Sequence, residues 1–337
     1  MNRLMFASLG MLISTAATAA DVCPVARQQQ FASDYATRIA AIACNENVLW
    51  YRPFIDADGL VASATVAEGE TSRLGDGATE AWRRVAMYWR DSGLLSQMAS
   101  FAGATQCAYA AGDREQATSC RAFVIDIPWS AAFVSYVMKK ADLPGFQASP
   151  SHFDYVRDAY LHPQGSPFLY LDPATTKPAA GDLLCYVRMP ATTFGYVGLR
   201  GFLDAPGRGP LNMHCDIVVA ANPDDDRKAY LIGGNIQQGV TMRLLNLNRN
   251  GLLWALPQRL GVDPPCSPDN VAGCNFSRQD WAVLLKLKSP TMLAQMPRPA
   301  QPPPGVMPTL APQPACCVNC VVGAEPPVPR CPNPQPP

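Results

Sequence analysis

Residues 126–146 read DIPWSAAFVSYVMKKADLPGF, and this stretch decides how the rest of the chain is organised. Pro128 suits the approach to a helix, because its missing N–H costs nothing there. The apolar residues from Trp129 onward recur at helical spacing until a Leu-Pro-Gly sequence ends the pattern. The stretch therefore predicts an apolar central helix with Ser130 at its start.

A serine at the start of a buried helix has two interpretations. Its hydroxyl lies beside backbone N–H groups that have no partner within the helix, and such groups stabilise the oxyanion of an acyl-transfer reaction. Ser130 is then a candidate nucleophile, with Trp129 beside it as a candidate for support. Serine is also among the commonest helix N-caps, so Ser130 can equally be a residue that only stabilises the helix.

The N-terminal residues, MNRLMFASLGMLISTAATAA, combine a basic residue, a short apolar run and the small-residue sequence Ala17-Thr18-Ala19. This pattern predicts a signal peptide over residues 1–20, because its apolar run is shorter than the ~20 residues that a membrane helix needs. No later stretch approaches that length. We therefore expect an exported protein, periplasmic or extracellular, without a transmembrane segment.

All 12 cysteines follow this segment, and an even number in an exported chain predicts disulfides. Cys185 and Cys215 fall in two predicted strands, where they can form a cross-strand bridge or remain two buried thiols. Three further pairs are candidates for bridges, and two of them bracket short polar loops: Cys107–Cys120, Cys266–Cys274 and Cys23–Cys44.

Charge and length narrow the class of protein. The 27 basic and 27 acidic side chains cancel, and no basic run is interleaved with aromatic residues, so nucleic acid is not an expected partner. We also expect no cofactor and no metal in the domain. Without the signal peptide and a C-terminal tail, residues 21–292 suffice for one large domain with an N-terminal helical extension.

The expected helices come first along the chain and the expected strands follow. Apolar periodicity predicts helices over residues 25–50 and 79–95. Polar segments predict a loop over residues 55–75 and a second loop over residues 106–120, which the Cys107–Cys120 bridge would close. Five later segments bounded by turn residues predict strands, over residues 181–187, 213–220, 228–236, 240–247 and 281–288. This order predicts an α+β domain whose central helix packs on a small antiparallel sheet.

A second helix is predicted directly after the central one, in the sequence FQASPSHFDYVRDAYLH. Ser151 is expected to cap this helix, which places His152 in its first turn. A histidine in such a position usually lies on the surface. Because it follows the central helix so closely in sequence, His152 is also a candidate for lining a cleft.

From residue 293 the chain is rich in proline and cysteine. Such a tail cannot form a packed core, so we expect it to be largely irregular and to act as a semi-rigid spacer. Its cysteines include one C-x-x-C sequence, which makes a zinc site conceivable. Disulfides are the preferred interpretation, because the expected compartment is oxidising and no second C-x-x-C is present.

Five short stretches follow one another in an informative order: PWSAAFVSYVM, SPSHFDYV, AGDLLCY, HCDIVVA and YLIGGNI. Together they resemble an uncharacterised bacterial domain-of-unknown-function family (DUF2272-like) that is related to the NlpC-type branch of papain-like cell-wall hydrolases. In that branch a cysteine opens a helix, a later strand starts with the catalytic histidine, and a polar residue on the next strand orients that histidine. The resemblance covers roughly residues 27–288.

The resemblance implies a papain-like fold with Ser130 in the nucleophile position, His214 as general base and Asn235 as the orienting residue. The chain departs from the branch in having serine instead of cysteine, and serine depends more on a well-placed base because it does not ionise near neutral pH. Asp216 is a second candidate for supporting His214, because residues two apart on a strand share a face. The implied function is an exported hydrolase of amide bonds, with peptidoglycan peptides as substrate.

Two other classes of function remain open. The domain can be a catalytically inactive module that binds cell-wall peptides or an envelope partner protein, or a structural envelope protein held by its disulfides and its tail. An enzyme requires Ser130 Oγ and a ring nitrogen of His214 within about 3 to 4 Å of each other. A binding module requires only the cleft.

Overall fold

The structure is a computed structural model, and it describes residues 22–108, 113–189, 192–253, 256–259 and 266–296. The predicted signal peptide and almost all of the Pro/Cys-rich tail lie outside these residues. The helices of the described part, in chain order, are α1 Val22–Arg27, α2 Tyr35–Leu49, α3 Ala81–Asp91, α4 Arg114–Asp126, α5 Ser130–Lys140, α6 His152–Leu161, α7 Gly195–Asp204 and α8 Pro290–Ala294.

The strands of the described part form one eight-stranded sheet in the order β2-β1-β7-β6-β5-β4-β8-β3. They are β1 Phe54–Ile55, β2 Val61–Ser63, β3 Phe168–Leu171, β4 Leu183–Val187, β5 Met213–Ala221, β6 Lys228–Ile236, β7 Gly239–Asn246 and β8 Asp280–Leu287. Neighbouring strands are antiparallel, except that β1 runs parallel to β7. The protein is therefore a mixed α+β structure.

The sheet is larger than the small antiparallel sheet expected from the sequence. The five predicted strands are confirmed as β4 to β8 and form its centre. The additional strands β1, β2 and β3 are two to four residues long, and β1 and β2 lie in the segment predicted to be a loop. Strands this short contain too few alternations to stand out in a sequence, and backbone pairing with their neighbours determines them instead.

Two helical predictions are corrected by capping residues. The expected helix over residues 25–50 is two helices, because Asp34 accepts a hydrogen bond from Thr37 N (2.8 Å) and starts α2. Phe31, within the expected helix, is 87% exposed in the turn that precedes α2. In the polar loop expected over residues 106–120, residues 114–120 form the first turns of helix α4, which begins after the Asp113 cap.

Helix α5 lies at the centre of the core, and residues 130–138 within it are all buried. Its N-cap residue Trp129 packs against Trp50 and Tyr88, with ring centroids 5.9 and 5.6 Å apart. Trp82 and Trp89 of α3 are also buried, so the aromatic residues of this helix belong to the core. Aromatic packing from the end of α2 and from α3 thus fixes the start of α5.

Residues near both ends of the described part contribute to the main core. Ile39 and Cys44 of α2 are fully buried in the main core, so this helix is part of the domain core and not an appended extension. At the other end, Leu293 and Met296 are buried in the same core, beyond the predicted domain boundary at residue 292.

Four disulfides link described cysteines. The bridge between Cys185 and Cys215 joins residues that are directly opposite in the β4–β5 pairing, which resolves the choice between a bridge and two thiols. The other three bridges are those expected: Cys23–Cys44, Cys107–Cys120 and Cys266–Cys274. The set is compatible with an oxidising compartment, while export itself stays a prediction. Within the described residues, no single helix is long and apolar enough to cross a membrane; α4 and α5, bent by 103° at their junction, pass that test only as a pair.

Candidate active site

Ser130 is the first residue of α5 and is 6% exposed. The N-cap position belongs to Trp129, so the interpretation of Ser130 as the N-cap is wrong. The Ser130 hydroxyl instead makes a side-chain hydrogen bond, with Oγ 2.7 Å from Nε2 of His152. The serine at the start of the central helix is thus paired with an imidazole.

His152 is buried at the first position of α6, not exposed as a surface histidine would be. A pair of serines holds α6 beside α5. Ser135 Oγ of α5 donates to the Ser149 carbonyl (3.1 Å) and accepts from Ser149 N (3.2 Å), in the loop just before α6. These bonds fix the start of α6 close to the start of α5, which brings the histidine to Ser130.

The second ring nitrogen of His152, Nδ1, is hydrogen-bonded to the hydroxyl of Tyr155. Burial, and to a smaller extent Asp154, raises the pKa of Tyr155 well above its usual value, so the phenol stays protonated. For Nε2 to accept a proton from Ser130, the imidazole must carry its own proton on Nδ1 and donate it to the tyrosine oxygen. Tyr155 therefore can orient the imidazole as a base.

Burial lowers the pKa of His152 well below its usual value, with further contributions from the nearby His214 and Arg188. The imidazole is consequently neutral at neutral pH and free to accept a proton. Ser130 and His152 both line a cavity of about 440 Å³, which also contacts Trp89, Arg188 and Asn212. The arrangement combines a hydroxyl, a neutral imidazole and room for a ligand.

His214 lies next to this pair but bonds elsewhere. Its ring centroid is 5.0 Å from that of His152, and its Nε2 is 2.8 Å from Oδ1 of Asp216. The second carboxylate oxygen of Asp216 accepts from Nε of Arg243 (3.0 Å), and all three side chains are at most 2% exposed. Burial alone would raise the pKa of Asp216, but the charges and hydrogen bonds of Arg243 and His214 lower it.

The sheet separates His214 from α5. The two faces are distinguished by consecutive glycines of the neighbouring strand β6: a Cβ on Gly234 would lie 2.5 Å from Phe133 of α5, whereas one on Gly233 would overlap Asp216 and lie 3.0 Å from His214. His214 and Asp216 therefore project from the face opposite to α5. The rings of the two histidines are in contact at the start of β5. The described lining of the 440 Å³ cavity includes His152 but not His214.

Asn235 makes its hydrogen bonds away from both histidines. With the amide oriented to satisfy both of its contacts, its oxygen accepts from Trp129 N (3.2 Å) and its nitrogen donates to Glu68 Oε2 (2.9 Å). Glu68 also accepts from the indole Nε1 of Trp129 (2.7 Å), and burial raises its pKa. Asn235 thus holds the residue before Ser130, while Asp216 makes the contact to His214.

Sequence reasoning missed three side chains of this region. Tyr155 was given no role in the site, although residues three apart on a helix share a face and it follows His152 at that spacing. Arg243 is the charged residue of a strand that is mostly buried, and a buried charge indicates an acidic partner. Glu68 carries no sequence signal, because it reaches Trp129 from an irregular segment.

The described residues contain no group of three or more His, Cys, Asp or Glu side chains arranged to hold a metal ion. The four cysteines of the tail, considered above as disulfides or a zinc site, lie outside those residues.

We expect stability to depend on pH through His152. Because its pKa is lowered in the folded protein, the unfolded chain takes up a proton first, near pH 6.5. The free energy of unfolding should be highest above this pH. As the pH falls below it, the free energy of unfolding should decrease by at most about 1.4 kcal/mol per pH unit because of this residue. Urea denaturation between pH 7.5 and 5.5 checks this, and the His152→Gln variant should show a smaller slope. Equal slopes would contradict the assignment.

The sequence was compared with known protein families, curated proteins and solved structures. The model of a family described as an uncharacterised protein conserved in bacteria (DUF2272) matches residues 76–287, a segment that includes Ser130, His152 and the His214–Asp216 pair. No curated protein and no solved structure matches the chain. Because the match covers more than half of the 337 residues, the chain belongs to the DUF2272 family of bacterial proteins.

Proposed function

We propose that the protein is an exported hydrolase of amide bonds, with Ser130 as nucleophile and peptidoglycan peptides as the substrate class. The observation that carries the proposal is the 2.7 Å contact between Ser130 Oγ and His152 Nε2 in the wall of a cavity. A serine hydroxyl needs an adjacent base to attack a carbonyl, and this distance is within the range for proton transfer.

In the proposed reaction, Ser130 Oγ attacks the carbonyl carbon while its proton passes to Nε2 of His152. The first-turn N–H groups of α5 have no carbonyl partner within the helix, so they are available to stabilise the oxyanion. His152 then returns the proton to the leaving amine as the C–N bond breaks, which leaves an acyl group on Ser130. Water, activated by the same imidazole, hydrolyses this ester and restores the hydroxyl.

The proposal differs from the papain-like assignment in its base. The resemblance gives His214 that role, and Nδ1 of His214 stays available because the Asp216 carboxylate occupies Nε2. His152 is favoured because it touches Ser130 directly and lines the cavity. His214 is assigned the role of supporting the His152 ring, which it contacts. The NlpC-type relationship is part of the proposal and rests on the order of the sequence motifs.

Covalent labelling tests the nucleophile. We expect a fluorophosphonate probe to modify purified, disulfide-intact protein at Ser130, because an adjacent neutral imidazole activates the hydroxyl. Peptide mass mapping identifies the site. Ser151, one residue from His152 and lining the same cavity, provides an internal control and should stay unmodified. Ser130→Cys gives a second readout, since a thiol beside an imidazole should react with iodoacetamide near neutral pH.

Two results would move the assignment to the inactive binding module: no labelling of Ser130 together with an unreactive thiol at this position in the Ser130→Cys variant. Retained binding of purified peptidoglycan peptides by the same protein would then identify the cavity as a binding site. Loss of both properties would leave the structural envelope protein as the remaining class.

A further inference from the structure

Among the described residues that line the cavity beside Ser130 and His152, Arg188 carries a full positive charge that has no counter-charge. Arg188 lies at the end of β4, where its backbone N donates to the Asn212 carbonyl (2.8 Å). Its side chain is exposed and lines the cavity. Within the described part of the chain, no carboxylate or other acceptor is bonded to its guanidinium, and no Asp or Glu lines the cavity.

A second donor in the same wall also lacks a partner. Trp89 lines the cavity, and its indole Nε1 is buried without a hydrogen-bond acceptor among the described residues. A buried donor without an acceptor is costly, so such groups usually meet a ligand or an ordered water. The described lining of the cavity thus combines the Arg188 guanidinium with an unpartnered indole donor on one of its residues and contains no acidic group, which suits a ligand rich in acceptor oxygens.

We infer that Arg188 is a specificity-determining residue that binds a free carboxylate of the substrate. The planar guanidinium forms paired hydrogen bonds with a carboxylate, and such charge-assisted bonds are stronger than bonds to a neutral amide. The substrate class is therefore a peptide that carries a free carboxylate near the cleaved bond. This inference deepens the proposed function and rests on it, because the carboxylate is placed relative to Ser130.

Binding is measured first, so that the result does not depend on turnover. The Ser130→Ala protein is titrated calorimetrically with a peptidoglycan stem tetrapeptide that has free carboxylates, and with the same peptide after all carboxylates are converted to carboxamides. We expect the free acid to bind about 10- to 100-fold more tightly. Adding Arg188→Gln should remove the preference, and Arg188→Lys should retain part of it, since lysine keeps the charge without the planar fork.

Arg249 provides the matched control, because it is exposed and does not line the cavity. Arg249→Gln should leave the preference unchanged, which separates local recognition from a loss of overall charge. Equal binding of the two peptides, no binding of either, or a preference that survives Arg188→Gln would overturn the inference.

Hydrolysis by the wild-type protein separates this inference from the proposed function. If the carboxylate preference is present but neither peptide is cleaved, the hydrolase proposal fails and the recognition role of Arg188 stands. If both peptides are cleaved with equal kcat/KM and Arg188→Gln changes neither value, the recognition role fails and the hydrolase proposal stands.

Discussion

The His152→Ala variant is expected to lose about 100- to 10,000-fold in kcat/KM for peptide hydrolysis, the range that general-base catalysis usually contributes. Ser130→Ala should lose a similar factor, and the double variant little more, because a nucleophile and its base act as a unit. The reason is geometric: the Nε2 of His152 is the ring nitrogen bonded to the Ser130 hydroxyl. Release of soluble peptides from purified peptidoglycan measures the effect.

Alanine variants at the other two histidines sharpen this comparison. His162 is exposed on the surface, with 71% of its side chain accessible, so His162→Ala should behave as wild type. His214→Ala should have an intermediate effect, because His214 contacts the His152 ring but is not itself among the described residues that line the cavity. Thermal unfolding of each variant separates loss of catalysis from loss of fold. A His214→Ala variant as inactive as Ser130→Ala, beside an active His152→Ala, would restore the assignment that the resemblance implies.

The sequence was most informative where a single element carries the signal. Helix α5 and the central strands were predictable because their apolar periodicity extends over many residues. Three of the cysteine pairs were predictable from their spacing in the sequence. Two of these pairs bracket short segments, and the third joins two cysteines within the first helical region. These features depend on local patterns, which one sequence contains in full.

The partners within the site were less predictable, since they depend on how elements pack. The position of His152 depends on the bonds between Ser135 and Ser149, which no spacing rule gives. The face from which His214 projects relative to α5 depends on which side of the sheet α5 packs against, where the glycines at positions 233 and 234 of β6 leave room for Asp216 on one face and Phe133 on the other. An ordered set of motifs therefore predicts which residues are near the site, but not which atoms are bonded there.

The buried charges behind the site give the largest expected effect on stability. Asp216→Asn should lower the free energy of unfolding by about 3 to 5 kcal/mol, because it leaves the charge of a buried arginine without its carboxylate. Arg243 is only 2% exposed, and its remaining acceptors, the Phe276 carbonyl (2.7 Å) and Ser277 Oγ (3.3 Å), are neutral. Urea denaturation of the oxidised protein measures the change.

A surface pair provides the control for this experiment. Arg90 and Asp91 are also in contact (2.7 Å), but their side chains are 53% and 40% exposed, so Asp91→Asn should cost less than about 1 kcal/mol. Replacing both buried partners, as in Asp216→Leu with Arg243→Met, should recover much of the loss, because no unpaired charge is then left in the interior. A cost for Asp216→Asn no larger than that for Asp91→Asn would show that water reaches the Arg243 guanidinium, and the His214–Asp216 pair could then not be a dry, rigid support for His152.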